Sequence, residues 1–346
     1  MPLYTLDPLL DERWEDLVAT HPHASAFHTR GWLKALAKTY GYRPLALTSS
    51  PPGQRLSDGA AFCEIQSWIT GPRLVSLPFA DHAEPLFGEG TGAAELREWA
   101  QTASSQSGWK YVEIRPVAVQ PEWTNAFETT QSFWLHVLSL TPSIGDLYAK
   151  LHKDCFRRRI KHAEREQLEY ERGDSSKLVQ EFYELLVITR KRHQLLPQPL
   201  SWFRNLVTGT NPKAEIRLVR KGGIPVAAIF TLRHRNTVIY KYGCSDHRLH
   251  HLAGMPLLFW KLIEESKAEG ASQVDLGRTE PENAGLIEFK DRLGATRSSI
   301  RYLRYSKSTR PKSAQLTPPG VVARLFEILP GTVSSAMGSI VYRHIG

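Results

Sequence analysis

The chain has 346 residues, 41% hydrophobic and 23% charged, which is globular composition and excludes a largely disordered protein. At about 100–200 residues per domain the length implies two domains, and no apolar run of about eighteen residues is present to span a membrane. The net charge of +9 is uneven: residues 1–140 carry 10 Lys/Arg against 15 Asp/Glu, residues 141–294 carry 26 against 19, and residues 295–346 carry 8 against 1.

In chain order, residues 30–38 show helical spacing of Trp32, Leu33, Leu36 and Ala37, broken by Gly41. Residues 60–69 and 73–77 read as strands around a Gly71-Pro72 turn. A helix over 93–107 stops at Gly108, and a strand follows over 110–114. The second half repeats this grammar. Long helical patterns cover 144–166 and 177–192. Three antiparallel strands are expected over 216–219, 226–232 and 238–242, with turns at Gly222-Gly223 and Arg235-Asn236. A helix over 255–268 stops at Gly270, and a strand (273–276), a helix (283–292) and a last strand (298–305) follow. Residues 306–319 have linker composition, and the apolar stretch 321–329 after them is expected to dock on the body.

One comparison suggests a duplication. Glu113 lies five residues after Gly108 with Arg115 soon after, and Asp275 lies five after Gly270 with Arg278 soon after, an offset of 162 residues. The domains expected are 1–143, 144–306 and a basic tail, 307–346, packing back on the body. The early prolines and acids do not read as a secretory signal. Cys63, Cys155 and Cys244 are roughly ninety residues apart, which fits neither a disulfide framework nor a zinc site but does fit a reducing compartment. A cytoplasmic location is therefore expected. The basic second half fits a polyanionic partner, or only a solubilising surface. Phosphate-cradling and Ser-hydrolase motifs are missing, and a histidine-rich loop (His247, His250, His251) without thiol partners reads as surface, so no metal site is expected.

Three stretches then carry a resemblance: YKYGCSD (240–246), VDLGRTEPENAGLIEFKDRLGA (274–295) and the basic LHKDCFRRRIKHAERE (151–166). Further matches are FYELLVITRKR (182–192), WLKALAKTYGY (32–42) and LPFADHAEPL (77–86). The pattern resembles the Fem-type aminoacyl ligases of cell-wall synthesis, within the acetyltransferase-like (GNAT) superfamily, and is similar to a subgroup associated with polysaccharide export and exosortase systems. The resemblance implies an α/β (α+β) fold of two tandem acetyltransferase-like domains, each a mixed, mostly antiparallel sheet flanked by helices. It implies an N-acyl or aminoacyl transferase with no tightly bound cofactor. The donor would be aminoacyl-tRNA or acyl-CoA. The acceptor would be an anionic nucleotide-sugar, lipid-linked or polysaccharide amine, with peripheral contact to the inner membrane surface.

The same resemblance implies that Lys290, after Phe289, stabilises the tetrahedral oxyanion. A solvated helix lysine is the bland alternative. Tyr240 and Tyr242, two apart on a strand, are expected on one face, lining the acceptor groove or forming a core pair. Arg192 or Arg190 would clamp phosphate, with a charged helix face as the bland alternative, and Arg278, Lys38 and Phe289 would belong to the substrate-binding site. Where relatives carry Ile-Asp-Pro, this chain reads Ile114-Arg115-Pro116, and a guanidinium is no base. Glu113 is read as lying on the other strand face, so Asp81 is the substitute catalytic candidate. The coenzyme-binding stretch (248–253) has His251 where a glycine is usual. Two other readings stay open: an acyl-CoA-dependent acetyltransferase, and a non-catalytic binding protein on a transferase fold.

Overall fold

In this computed structural model the residues described are 2–88, 90–118, 120–306 and 331–345. The apolar stretch 321–329 lies outside them. The described residues divide into two compact units: residues 2–133 with 299–306 and 339–345, and residues 134–298 with 331–338. This division differs from a cut between 143 and 144, and most of the last strand belongs to the first unit.

The first unit holds β1 (Tyr4–Leu6), α1 (Glu12–Thr20), α2 (Arg30–Tyr40), β2 (Arg43–Thr48), β3 (Ala60–Ile65), β4 (Arg73–Val75), α3 (Ala93–Ser107), β5 (Tyr111–Ile114) and α4 (Pro121–Ala126). β6 (Glu128–Ser139) leads into the second unit, which holds α5 (Ile144–Lys150), α6 (Arg158–Arg165), β7 (Glu169–Gly173), α7 (Ser176–Arg192), α8 (Leu200–Val207), β8 (Lys213–Lys221), β9 (Ile224–His234), β10 (Thr237–Ser245), α9 (Gly254–Ala268), β11 (Gln273–Thr279) and α10 (Ala284–Arg292). β12 (Thr296–Ser306) and α11 (Gly331–Ile345) follow.

Local chemistry explains most of these boundaries. The Thr29 hydroxyl caps α2 by accepting from the Trp32 amide, and Gly41 ends it at φ +71°, a conformation that costs glycine little. The helix expected over 144–166 breaks after Leu151. There the His152 imidazole accepts from the amides of Asp154 and Cys155 and starts a single π turn before α6. The turn residues Gly222, Gly223 and Arg235 all have positive φ, which two-residue hairpins require.

Within the first unit the strand order is β1-β2-β3-β4-β5-β12, and within the second β6-β11-β10-β9-β8-β7. Each sheet is antiparallel except for one pair. β4 and β5 run parallel, with Leu74 opposite Val112, and so do β10 and β11, with Val238 opposite Val274. In each case a helix, α3 or α9, makes the crossover that parallel strands need. Val112 and Val274 keep the 162-residue offset of the glycine stops, and each is followed by a buried acid, Glu113 or Asp275. In the second unit Phe156, Ile160, Leu258, Phe259 and Val274 join one apolar core on the α6/α9 side of the sheet. At about 25 cal/mol per Å², burial of this kind supplies most of the stabilisation that fixes the strands around the site.

Candidate functional site

β10 and β11 pair only from 237–239 to 273–275. Beyond that, β10 stays on β9 as far as Ser245, and β11 stays on β6 as far as Thr279. The two facing edges therefore lose their backbone partners at the same level. Amide and carbonyl groups left unpaired at a strand edge are ready to bond a ligand. Both strands are also bulged at this level, β10 between Tyr240 and Tyr242 and β11 between Asp275 and Arg278. Bulges re-aim side chains and recur beside active sites.

The β10 bulge overturns one expectation. An extra residue, Lys241, puts Tyr240 and Tyr242 on opposite faces. The Tyr240 ring packs on Phe259 of α9 at 4.9 Å between centroids. The Tyr242 ring packs on Phe203 of α8 at 5.2 Å, and its hydroxyl accepts from Trp202 Nε1 at 2.9 Å. Tyr242 is thus a buried packing residue in this structure. Tyr240 is half-buried, and among the described residues its hydroxyl has no hydrogen-bond partner. That hydroxyl lies against Gly243, where a Cβ would come within 2.1 Å of it, so a side chain there would push the hydroxyl away. Burial raises the Tyr240 phenol above its ordinary range, so it stays a protonated donor.

Lys290 is 3% exposed on a helix whose first half is exposed. Its ammonium donates to Gly277 O at 2.9 Å, Arg278 O at 3.2 Å and Thr279 Oγ1 at 2.8 Å. It is therefore not the solvated lysine of the bland reading. Burying an ammonium is costly unless its donors are satisfied, and here they are satisfied by the free end of β11. Gly277 has φ +71°, and its amide donates to the buried Asp275 carboxylate at 2.7 Å. Phe289 packs between Phe156 and Phe259, 5.2 Å from each, and has the role of an anchor for α10. Arg278 is half-buried and electrostatically coupled to Glu280, whose carboxyl burial raises.

His136 on β6 was not singled out in the sequence. It is fully buried, with Nε2 3.4 Å from Asp291 Oδ1 and no hydrogen bond to either ring nitrogen among the described residues. Burial first, and the Lys290 charge second, hold it below its ordinary pKa, so it is neutral. Nothing in the sequence marks it, because the strand that carries it has no turn signal or motif.

The N-terminus of α9 lies at the end of β10. Asp246 caps the short 3-10 segment His247–Leu252 and is held by the Arg248 guanidinium, which keeps its carboxyl below the usual range. His250 Nε2 is 2.8 Å from Ser245 Oγ and 3.4 Å from Arg192 Nη1. Arg159 donates to His250 O, and His162 bonds His251 O, each at 3.0 Å. Burial and the neighbouring arginines lower His250 and His193, leaving Arg159 and Arg192 as the fixed charges. His251 is exposed and lies before the helix. The residue that needs to be glycine is Gly254, whose Cβ would press on Val219 at 2.9 Å. In the first turn of α9 only the Gly254 and Met255 amides lack helix partners, since Pro256 has no N–H and Leu257 N bonds Ala253 O; with these arginines they can meet an anion.

Asp81 and Lys38 belong to the first unit, the other six predicted site residues to the second. Lys38 is exposed in the last turn of α2. Asp81 is half-buried in a loop where two non-glycine residues, Leu77 and Phe79, take φ +47° and +63°. Such strain persists only where neighbours enforce it. Arg115 donates to Leu77 O and Ala80 O, and Tyr302 donates to Asp81 O at 2.8 Å. Glu113 does not lie on the opposite face from Arg115. Residues two apart share a face, and the two are paired at 2.9 Å, with Arg304 on the other carboxylate oxygen at 2.6 Å. The arginine of Ile-Arg-Pro is thus a half-buried structural cation.

Residues 150–291 match the acetyltransferase (GNAT) domain family. The matched residues lie in the second unit, and the fold of the chain is like that of tandem acetyltransferase-type proteins. No curated protein matches the chain. Among solved structures it is similar to FemX, with a TM-score of 0.66 at 13% identity over 87% of this chain and 97% of that one. It is similar to L-PGS from Bacillus licheniformis, with a TM-score of 0.57 at 16% identity over 92% and 97%. A tandem GNAT protein from the clavulanic acid biosynthesis pathway gives 0.54 at 11% identity over 89% and 100%. At these identities the likeness is one of fold.

Proposed function

We propose that the chain is an N-acyl or aminoacyl transferase, moving its group from an activated, phosphate-bearing ester or thioester to an amine acceptor of envelope or exopolysaccharide metabolism. The polysaccharide-associated branch suggested by the sequence is part of this proposal. The observation that carries it is the gap where β10 and β11 stop pairing, with the Tyr240 hydroxyl on one strand and the Lys290 ammonium clamped behind the other. The donor's acyl carbonyl bonds the free β10 edge, and its phosphates meet the α9 amides with Arg159 and Arg192. The amine attacks the acyl carbon. A C–N bond forms, the C–O or C–S bond to the donor breaks, and the amine releases a proton. Lys290 acts on the oxyanion through its charge, since its three N–H bonds already have acceptors. In a dry site such a charge is worth about 3–4 kcal/mol. Tyr240 donates its proton to the leaving group and takes back the one the amine releases, so the phenol is restored.

The donor is aminoacyl-tRNA or acyl-CoA, two sources of one chemistry. The test has two arms, radiolabelled acetyl-CoA and radiolabelled aminoacyl-tRNA, each with an amino-sugar nucleotide, an amine-bearing lipid and an amino-polysaccharide. The proposal expects label on an amine acceptor in one arm. If neither donor is bound or consumed by folded protein, the chain is a binding protein on a transferase fold and the proposal fails.

A further inference from the structure

Arg192 ends α7 between two imidazoles. Its Nη2 lies 3.0 Å from His193 Nε2, and its Nη1 lies 3.4 Å from His250 Nε2. A guanidinium carries donors and no acceptor, so each contact needs a ring nitrogen without a proton. The Ser245 hydroxyl, 2.8 Å from the same His250 nitrogen, then donates to it as well. The geometry thus defines both rings as neutral. Burial first, and the arginine charges second, hold both below the ordinary histidine value.

The charges that face His250 are Arg192 of α7, Arg159 of α6, and His247 and Asp246 of its own turn. Arg159 donates to the His250 carbonyl at 3.0 Å, and the Asp246 carboxylate is held by Arg248. His193 faces Arg192 and Arg190, both of α7. Each ring therefore sits in a positive field that opposes its protonation. A phosphate arriving here changes both conditions. It offers Arg192 a stronger, charge-assisted acceptor than a neutral imidazole. Its negative charge also offsets the field. The rings, released from Arg192, can then be protonated, and His250 reverses its bond to Ser245, because a hydroxyl accepts as well as donates.

We infer that Arg192, His193 and His250 form a proton-coupled latch for a donor phosphate: the anion draws Arg192 off the two rings, and the rings take up protons as it binds. The inference rests on the proposed reading that donor phosphates meet this end of β10, and adds that pH sets their affinity. The complex holds more protons than the free protein, so affinity rises as pH falls through the histidine range and is lost as pH rises.

The test is isothermal titration of the full chain with coenzyme A and, separately, with an uncharged tRNA, in two buffers of different ionisation heat. The dependence of the heat on buffer counts the protons bound. The parent is compared with the double variant His193→Gln/His250→Asn, which keeps polar side chains that do not titrate; the probe's own titration is common to both proteins and cancels. The parent should take up more protons than the variant with at least one probe. Its affinity should fall about fivefold more than the variant's between about pH 6 and pH 8, and the two should bind alike at the upper end. Histidine Cε1–H signals in the NMR spectrum of the parent give the same answer without a variant: two of them should titrate at higher pH with the probe bound. Binding with equal proton uptake by both proteins, or histidine titrations that do not move, overturns the inference and leaves the transfer reading standing. Failure of the folded parent to bind either probe removes both.

Discussion

At the scale of single residues, the site turns on two groups whose environments differ in kind. Lys290 is satisfied by three internal acceptors, whereas the Tyr240 hydroxyl has no partner among the described residues. Lys290→Met keeps the shape but removes the charge and leaves two carbonyls and a hydroxyl without their donor. The variant should lose about 1–3 kcal/mol of stability in chemical denaturation. It should also lose about 100- to 1,000-fold in kcat with KM little changed. A variant that unfolds more easily but turns over normally would make Lys290 a structural clamp alone. The lysine and phenylalanine were legible in the sequence because they sit in a motif. The split of Tyr240 from Tyr242 was not, because a bulge adds one residue to a strand without leaving a signature in composition.

At the scale of elements, a buried ion triad holds the strained loop of the first unit. Burial alone would raise the Glu113 carboxyl, but Arg115 and Arg304 outweigh it and hold it below its ordinary value of 4.5. A depressed carboxylate contributes stability that is complete above its unfolded pKa and is lost as pH falls through the folded one. The melting temperature should therefore fall as pH drops below about 4.5, and Glu113→Gln should flatten that fall while lowering stability at pH 7. An unchanged acid limb in circular dichroism melts would remove Glu113 from the account. Most helices were readable from period and stop signals, as at Gly41 and Gly108. Helix α1, α4, α8, strand β7 and the long β6 were not anticipated. The break at His152 was also missed, since an imidazole cap resembles any other polar residue inside a helical pattern.

At the scale of the whole molecule, the duplication was legible and the chemistry only partly so. The 162-residue offset seen in glycine stops reappears as two parallel strand pairs, each crossed by one helix and each followed by a buried acid. The two copies use that design differently. In the first, β4 ends at Val75 and a strained loop follows. In the second, β10 runs on to Ser245 and leaves an unpaired edge. Sequence periodicity reports the shared frame, while the end of a pairing register depends on contacts far apart in the chain. The central claim is that this open edge receives the acyl donor. Hydrogen exchange of the full chain, read by mass spectrometry with and without acetyl-CoA or charged tRNA, tests it directly. One donor should slow exchange in residues 240–245, 254–257 and 276–279 and leave β1 and β2 unaffected. Donor binding that protects other segments and leaves these three unchanged would contradict the account.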